Sequence, residues 1–210
     1  MRHIGLLGGT FNPVHIGHLL VAESVLEQLE LDEIRFLPAA RSPFKQNPDI
    51  DDRHRLAMLE LALADRPGFR LDPRELDRPP PSYTIDTLRL LVDEHPRDRF
   101  YLMIGMDAWQ SFEGWKQWPL ILELCHLVVM TRPGYVPEPL AAHWQQRLIP
   151  GVAELRATRA GGLMFVTVPA SDAASSTLRS EIELGRDTGL LLHPAVKRYI
   201  EQRKLYRLSQ

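Results

Sequence analysis

The chain has 210 residues, one cysteine, and 25 lysines and arginines against 27 aspartates and glutamates, for a formal net charge of -2. That balance excludes broad electrostatic binding to nucleic acid or to an anionic membrane, so any polyanionic ligand must be held by a local cluster. The lone Cys125 excludes an intramolecular disulfide and a multi-cysteine metal site, and the length suits a single domain over residues 1–210 with a sizeable core.

The first residues run almost directly into a strand pattern without a basic-then-apolar leader, and no apolar run approaches a membrane-spanning length. The expectation is a cytoplasmic protein, a monomer or small homo-oligomer, with neither membrane nor nucleic acid as partner. Ile4 to Leu7 reads as the first strand and Leu19 to Leu26 as an amphipathic helix. Glu33 to Leu37 is the second strand, ended by Pro38. Arg41-Ser42-Pro43-Phe44-Lys45 then places two cations on a proline-fixed loop. Asp51-Asp52 precede a helix with Leu56, Leu59 and Leu63 on one face, and Phe69 to Leu71 is a short strand. After the prolines of 79–81, Ser82 is the expected N-cap of a helix over Tyr83 to Glu94.

Phe100 to Ile104 is the next strand. It leads to Gly105, expected to relieve crowding, and to Asp107, expected to cap a further helix. Cys125 stands in apolar surroundings that imply packing. Strands at Leu127 to Thr131 and Phe165 to Val168 follow, then helices over Thr177 to Leu184 and Ala195 to Arg203, in a helical C-terminal part from about 170 to 210. Such alternation predicts an α/β, Rossmann-like, doubly wound fold whose mostly parallel sheet carries helices on both faces. Ligands bind such sheets beyond the strands' carboxyl ends, at the topological switch point.

The densest constellation is Gly8-Gly9-Thr10-Phe11-Asn12-Pro13-Val14-His15-Ile16-Gly17-His18. A glycine pair after a strand permits a tight turn and close approach of backbone amides, and Pro13 fixes the turn before the helix. Histidines three apart share one helix face, with Gly17 leaving room between them. A neutral imidazole donates one hydrogen bond; an imidazolium donates two and carries charge. An ordinary turn with capping histidines is the alternative reading, but the coincidence of these residues within one short stretch favours an anionic ligand. Late in the chain, Ser175-Ser176-Thr177 and Arg179 set hydroxyls and a forked cation at a helix start, a second combination suited to phosphate.

The glycine-histidine stretch resembles the signature of the HxGH nucleotidyltransferases, and within them the chain is similar to the nicotinate mononucleotide adenylyltransferases. The resemblance spans nearly the whole chain and is weakest from about 134 to 162. It implies that Gly8, Gly9, Thr10, Phe11, His15, His18, Gly105, Asp107, Arg132, Ser176 and Arg179 hold ATP, with His15, His18 and Arg179 catalytic. It also implies that Lys45, Tyr83, Thr84, Trp115 and Lys116 hold nicotinate mononucleotide, with Trp115 stacking on the pyridine ring. The last phosphate motif is placed by matching Ser176 to the family's threonine, which sets Arg179 in register. Ser42 and Phe44 depart from the family pattern at the Lys45 loop. Trp109 and Trp118 are read as core.

The implied reaction is AMP transfer from ATP to the mononucleotide, with Mg²⁺ bridging the ATP phosphates and no metal ligated by the chain. The acceptor phosphate, with a second pKa of roughly 6, is already anionic at neutral pH and needs no general base. One rival is the pantetheine-phosphate enzyme of the same superfamily, which has no use for Pro81-Ser82-Tyr83-Thr84 or Trp115. Another is an ATP sensor without turnover, against which the two histidines and Arg179 argue. Aminoacyl-tRNA synthetases carry the same His-Ile-Gly-His, but this chain is too short for one and lacks their lysine-rich partner motif.

Overall fold

The protein is described from a computed structural model, in residues 1–40, 50–79, 81–135 and 139–207. Strands and helices alternate from the first residues onward. β1 (His3–Gly9), α1 (Ile16–Gln28), β2 (Glu33–Pro38), α2 (Asp52–Leu63), β3 (Phe69–Leu71), α3 (Thr84–Glu94) and β4 (Arg99–Gly105) make up the first half. The second half holds α4 (Met106–Gln110), α5 (Trp118–Leu124), β5 (His126–Thr131), α6 (Ala142–Gln145), α7 (Val152–Ala157), β6 (Leu163–Thr167), α8 (Ser175–Glu183) and α9 (Pro194–Arg203). All strand pairings are parallel, in the order β3-β2-β1-β4-β5-β6. Connections therefore run outward in opposite directions from β1 and β4, and the cleft between their carboxyl ends is the switch point.

Alternation along the strands divides the core into two layers. Leu7 of β1, Tyr101 and Met103 of β4 and Val128 of β5 face one side, where Leu19, Ala22 and Val25 of α1, Met58 and Leu59 of α2, and Val196 and Ile200 of α9 cover them. Ile4 and Leu6, Phe100, Leu102 and Ile104, and Leu127 and Val129 face the other, under Ile85, Leu88 and Leu91 of α3 and Ile121 and Leu122 of α5. Strands buried on both faces explain why the sequence shows apolar runs there rather than clean alternation. Among the described residues no helix is long and apolar enough to cross a membrane.

Several boundaries differ from expectation. β1 continues through Gly8 and Gly9, which pair with Leu37 and Pro38 of β2, so the glycines extend the strand rather than turn it. The turn falls instead at Phe11, with φ 48, followed by the cis Asn12-Pro13 bond. β6 starts two residues early because Leu163 pairs with Leu127. The cap of α3 is Tyr83, since the Ser82 hydroxyl donates to the Glu75 carbonyl at 3.1 Å. Asp51 caps α2 by accepting from the Arg53 amide at 2.8 Å. The short helices α5, α6 and α7 carry too few turns to leave a legible period. Cys125 packs as expected: its thiol is buried, donates to the Ile121 carbonyl at 3.3 Å, and is pushed up to about 12 by burial.

Candidate active site

The loop after β1 is built around one buried ring. Phe11, 1% exposed, folds back over Gly9, where an added Cβ would stand 3.0 Å from the ring. Its side chain meets Phe36 and the edge of His18, at centroid distances of 5.6 and 5.0 Å. Phe11 therefore belongs to the core, and only its backbone is placed to meet a ligand. Gly8, by contrast, is exposed, with nothing within 4 Å of an added Cβ.

His15 is the N-cap of α1 and His18 its third residue, one position short of both lying within the first turn. Their rings stack at 3.7 Å, and Nδ1 of His18 accepts from the His15 amide at 3.3 Å. Nδ1 of His15 is buried without a partner among the described residues. Burial lowers the His15 pKa to about 4, so of the two ionisation states open on the sequence the ring takes the neutral one near pH 7. Gly17 has a different task from the one expected. An added Cβ would meet Ser171 Oγ at 2.9 Å and the His15 ring at 3.0 Å, so the space is spent on these side chains rather than on a ligand.

The start of α8 is tied directly to this loop. Ser175 Oγ donates to the Pro13 carbonyl at 3.0 Å and Arg179 Nη1 to the Asn12 carbonyl at 2.8 Å. Ser176 and Thr177 stand exposed beside them on the first turn. Tyr206 completes the cluster, its hydroxyl donating to Asn12 Oδ1 at 2.6 Å. α9 ends at Arg203, as expected, and beyond it Lys204 and Tyr206 take φ of 52 and 61 to bring the phenol back to the loop.

Gly105 and Arg132 lie at the neighbouring carboxyl ends. Gly105 pairs with Met130 at the end of the β4–β5 ladder, and Arg132 follows two residues later, exposed. Gly105 relieves no crowding, because an added Cβ would meet nothing within 4 Å; it is instead the N-cap of α4. Asp107 sits inside the first turn of α4 rather than capping it, with its side chain exposed. Strand register thus sets Gly9, Pro38, Gly105 and Met130 at one edge of the sheet.

A second group forms beside α3. Lys116 Nζ lies 4.2 Å from the centroid of the Tyr83 ring and 3.2 Å from Asp86 Oδ2. Thr84 opens α3, whose first turn has no side-chain cap. Trp115 is half-buried against Phe112 at 5.4 Å, and its Nε1 is buried without a partner among the described residues. Trp109 and Trp118 pack around Trp144 at 4.6 and 5.5 Å, in the core role read for them. Lys45, with Arg41, Ser42 and Phe44, lies outside the described residues.

Residue type alone missed Arg55 and Tyr206, and it gave Asn12 and Ser175, though inside the two motifs, no task of their own. Arg55 left a signal, an arginine on the stripe of Met58, Leu59 and Ala62, all buried. Tyr206 left none, since only the fold brings it to a loop 194 residues away.

This arrangement is that of a class of nucleotide-handling α/β proteins: the model of the cytidylyltransferase-like family matches residues 6–181. Among curated relatives, the probable nicotinate-nucleotide adenylyltransferase of Acidithiobacillus ferrooxidans is 40% identical over 205 residues, 96% of this chain and 94% of the relative. That of Aeromonas hydrophila is 41% identical over 211 residues, 97% of each chain. The chain belongs to the nicotinate-nucleotide adenylyltransferase family. The fold agrees with a solved structure of Plasmodium falciparum nicotinic acid mononucleotide adenylyltransferase complexed with NaAD, at TM-score 0.72 over 98% of both chains and 18% identity.

Proposed function

We propose that this chain transfers AMP from ATP to nicotinate mononucleotide, forming nicotinate adenine dinucleotide and pyrophosphate, a step of NAD biosynthesis. Near-full-length identity to relatives of that activity supports the reading. The structural observation that carries it is the knot of the β1 loop with α8, in which His15, His18, Ser175 and Arg179 converge on one strand end. It works as one domain, monomeric or in a small homo-oligomer, in the cytoplasm.

In the proposed reaction an oxygen of the mononucleotide phosphate bonds to the α-phosphorus of ATP, and the bond from that phosphorus to the bridging oxygen breaks, releasing pyrophosphate. The nucleophile is already anionic, so the chain's residues need only align the reactants and neutralise charge. The amides of Gly8 to Phe11 face the triphosphate. His15 in its neutral form and His18 donate hydrogen bonds to the phosphates. Arg179 and Ser176 meet the charge that builds on the leaving group. Gly105 and Asp107 line the adenosine side, Arg132 faces the nucleotide phosphates, and Tyr83, Thr84, Trp115, Lys116 and Lys45 receive the mononucleotide. The unpartnered Nε1 of Trp115 and the uncapped start of α3 supply donors on that side. Magnesium brought in with ATP would lower the charge on the phosphates, and no residue of the chain is assigned to hold it.

The test is pyrophosphate release from ATP and Mg²⁺ with nicotinate mononucleotide, nicotinamide mononucleotide or phosphopantetheine as acceptor. Strong preference for the nicotinate compound is expected. Release with phosphopantetheine alone discards the acceptor half of the reading, and release with none discards both halves.

A further inference from the structure

Arg55 is 0% exposed, yet it sits on α2 on the same buried stripe as the apolar Met58, Leu59 and Ala62. Its guanidinium spends its donors on three separate segments. Nη1 donates to the Thr10 carbonyl at 2.7 Å and Nη2 to the Ala39 carbonyl at 2.9 Å. Nε and Nη2 reach Asp52 Oδ1 at 3.1 and 2.5 Å. Thr10 begins the loop that carries His15 and His18, and Ala39 begins the segment that carries Lys45. The same two segments are joined once more by the Ala39 amide, which donates to the Gly9 carbonyl at 2.9 Å. A planar fork can satisfy two carbonyls at a fixed separation, which an ammonium cannot. A buried charge is a poor device for stability alone, because an apolar side chain of similar size packs without the desolvation penalty.

We propose that Arg55 is a positioning residue: it locks the loop after β1, which carries His15 and His18, to the end of β2, and so holds the ATP side of the site in register for attack at the α-phosphorus. This inference rests on the adenylyl-transfer reading above. Arg55 touches neither substrate, so its loss leaves each substrate's own contacts in place and disturbs their mutual alignment. The cost falls on kcat rather than on KM.

The experiment compares Arg55→Lys, Asp52→Asn and a control, Leu155→Ala, which removes a buried side chain of α7 outside the site. For each, kcat per folded enzyme, KM for ATP and for nicotinate mononucleotide, binding of a non-hydrolysable ATP analogue, and Tm are measured. Arg55→Lys is expected to lose about 10- to 100-fold in kcat, the scale of an ångström-sized misalignment, with both KM values and analogue binding within about threefold. Asp52→Asn is expected to lose roughly three- to tenfold in kcat, since it frees the fork but leaves both carbonyls bonded. Leu155→Ala is expected to lower Tm at unchanged kcat. An unchanged kcat in folded Arg55→Lys overturns the proposal, as does an equal kcat loss in the control. If Arg55→Lys does not fold, Asp52→Asn decides, and wild-type kcat there overturns it. A wild-type enzyme inactive with nicotinate mononucleotide would instead overturn the reading beneath, and this inference with it.

Discussion

His15 and His126 stand at opposite ends of the sheet, and burial lowers both to a pKa of about 4. At the amino end, His126 is 0% exposed and fully satisfied. Its Nδ1 accepts from the Gly162 amide at 3.2 Å, which leaves Nε2–H to donate to the Thr158 carbonyl, also at 3.2 Å. Nearby, His3 Nδ1 and the Tyr101 hydroxyl are 2.6 Å apart, and burial pushes that phenol up to about 12. At the carboxyl end, His15 is also buried, but its Nδ1 has no partner among the described residues and the exposed Gly8 lies near the end of the strand that leads to it. A perturbed titration is therefore common to a structural and a proposed catalytic histidine. Unspent hydrogen-bonding capacity beside open backbone is what separates them.

The largest expected effect breaks the carboxyl end alone. His18→Ala should lower turnover by about 100- to 1,000-fold, the scale of removing one donor from a preorganised charge-stabilising site, with the far-ultraviolet circular dichroism unchanged. Wild-type turnover in that variant would remove His18 from its proposed role. Arg179→Lys should follow with a loss of roughly 10- to 100-fold in kcat, because an ammonium cannot hold the Asn12 carbonyl at 2.8 Å and offer a fork to phosphate at once. On the mononucleotide side, Trp115→Ala should raise the KM for nicotinate mononucleotide about tenfold and that for ATP far less. Equal changes in the two would return Trp115 to the core around Phe112.

The smallest effect acts on both ends together. His15 and His126 each titrate near 4 when folded and near 6.5 when unfolded, so the unfolded chain binds the extra protons. Their neutral forms contribute stability that is complete above pH 6.5 and is lost as pH falls toward 4. Tm should fall through that window, and His126→Asn should flatten the fall. An unflattened slope in that variant would assign the acid sensitivity to other groups.

The layered α/β fold was legible because strands buried on both faces leave dense apolar runs, as in Phe100 to Ile104, and because long helices such as α1 and α3 keep a stripe. The β1 loop was legible as a candidate site because its residues are contiguous. What failed was conformational detail set by neighbours. Gly8 and Gly9 stay extended because β2 offers them a ladder, and Gly17 is small because Ser171 and His15 fill the space beside it. Gly105 took the capping task expected of Asp107 at α4 for the same reason, the cap being a matter of where β4 stops. Tyr206 and the tie from Ser175 to the β1 loop were invisible because the partners, Asn12 and Pro13, lie more than 160 residues away in the chain.

The comparison of the two histidines is tested most directly by measuring kcat per folded enzyme and Tm side by side for His15→Ala and His126→Ala. The account predicts that His15→Ala loses turnover by two orders of magnitude or so at nearly unchanged Tm, while His126→Ala loses Tm and keeps the kcat of its folded fraction. Equal loss of turnover in both, or wild-type turnover in His15→Ala, would contradict it.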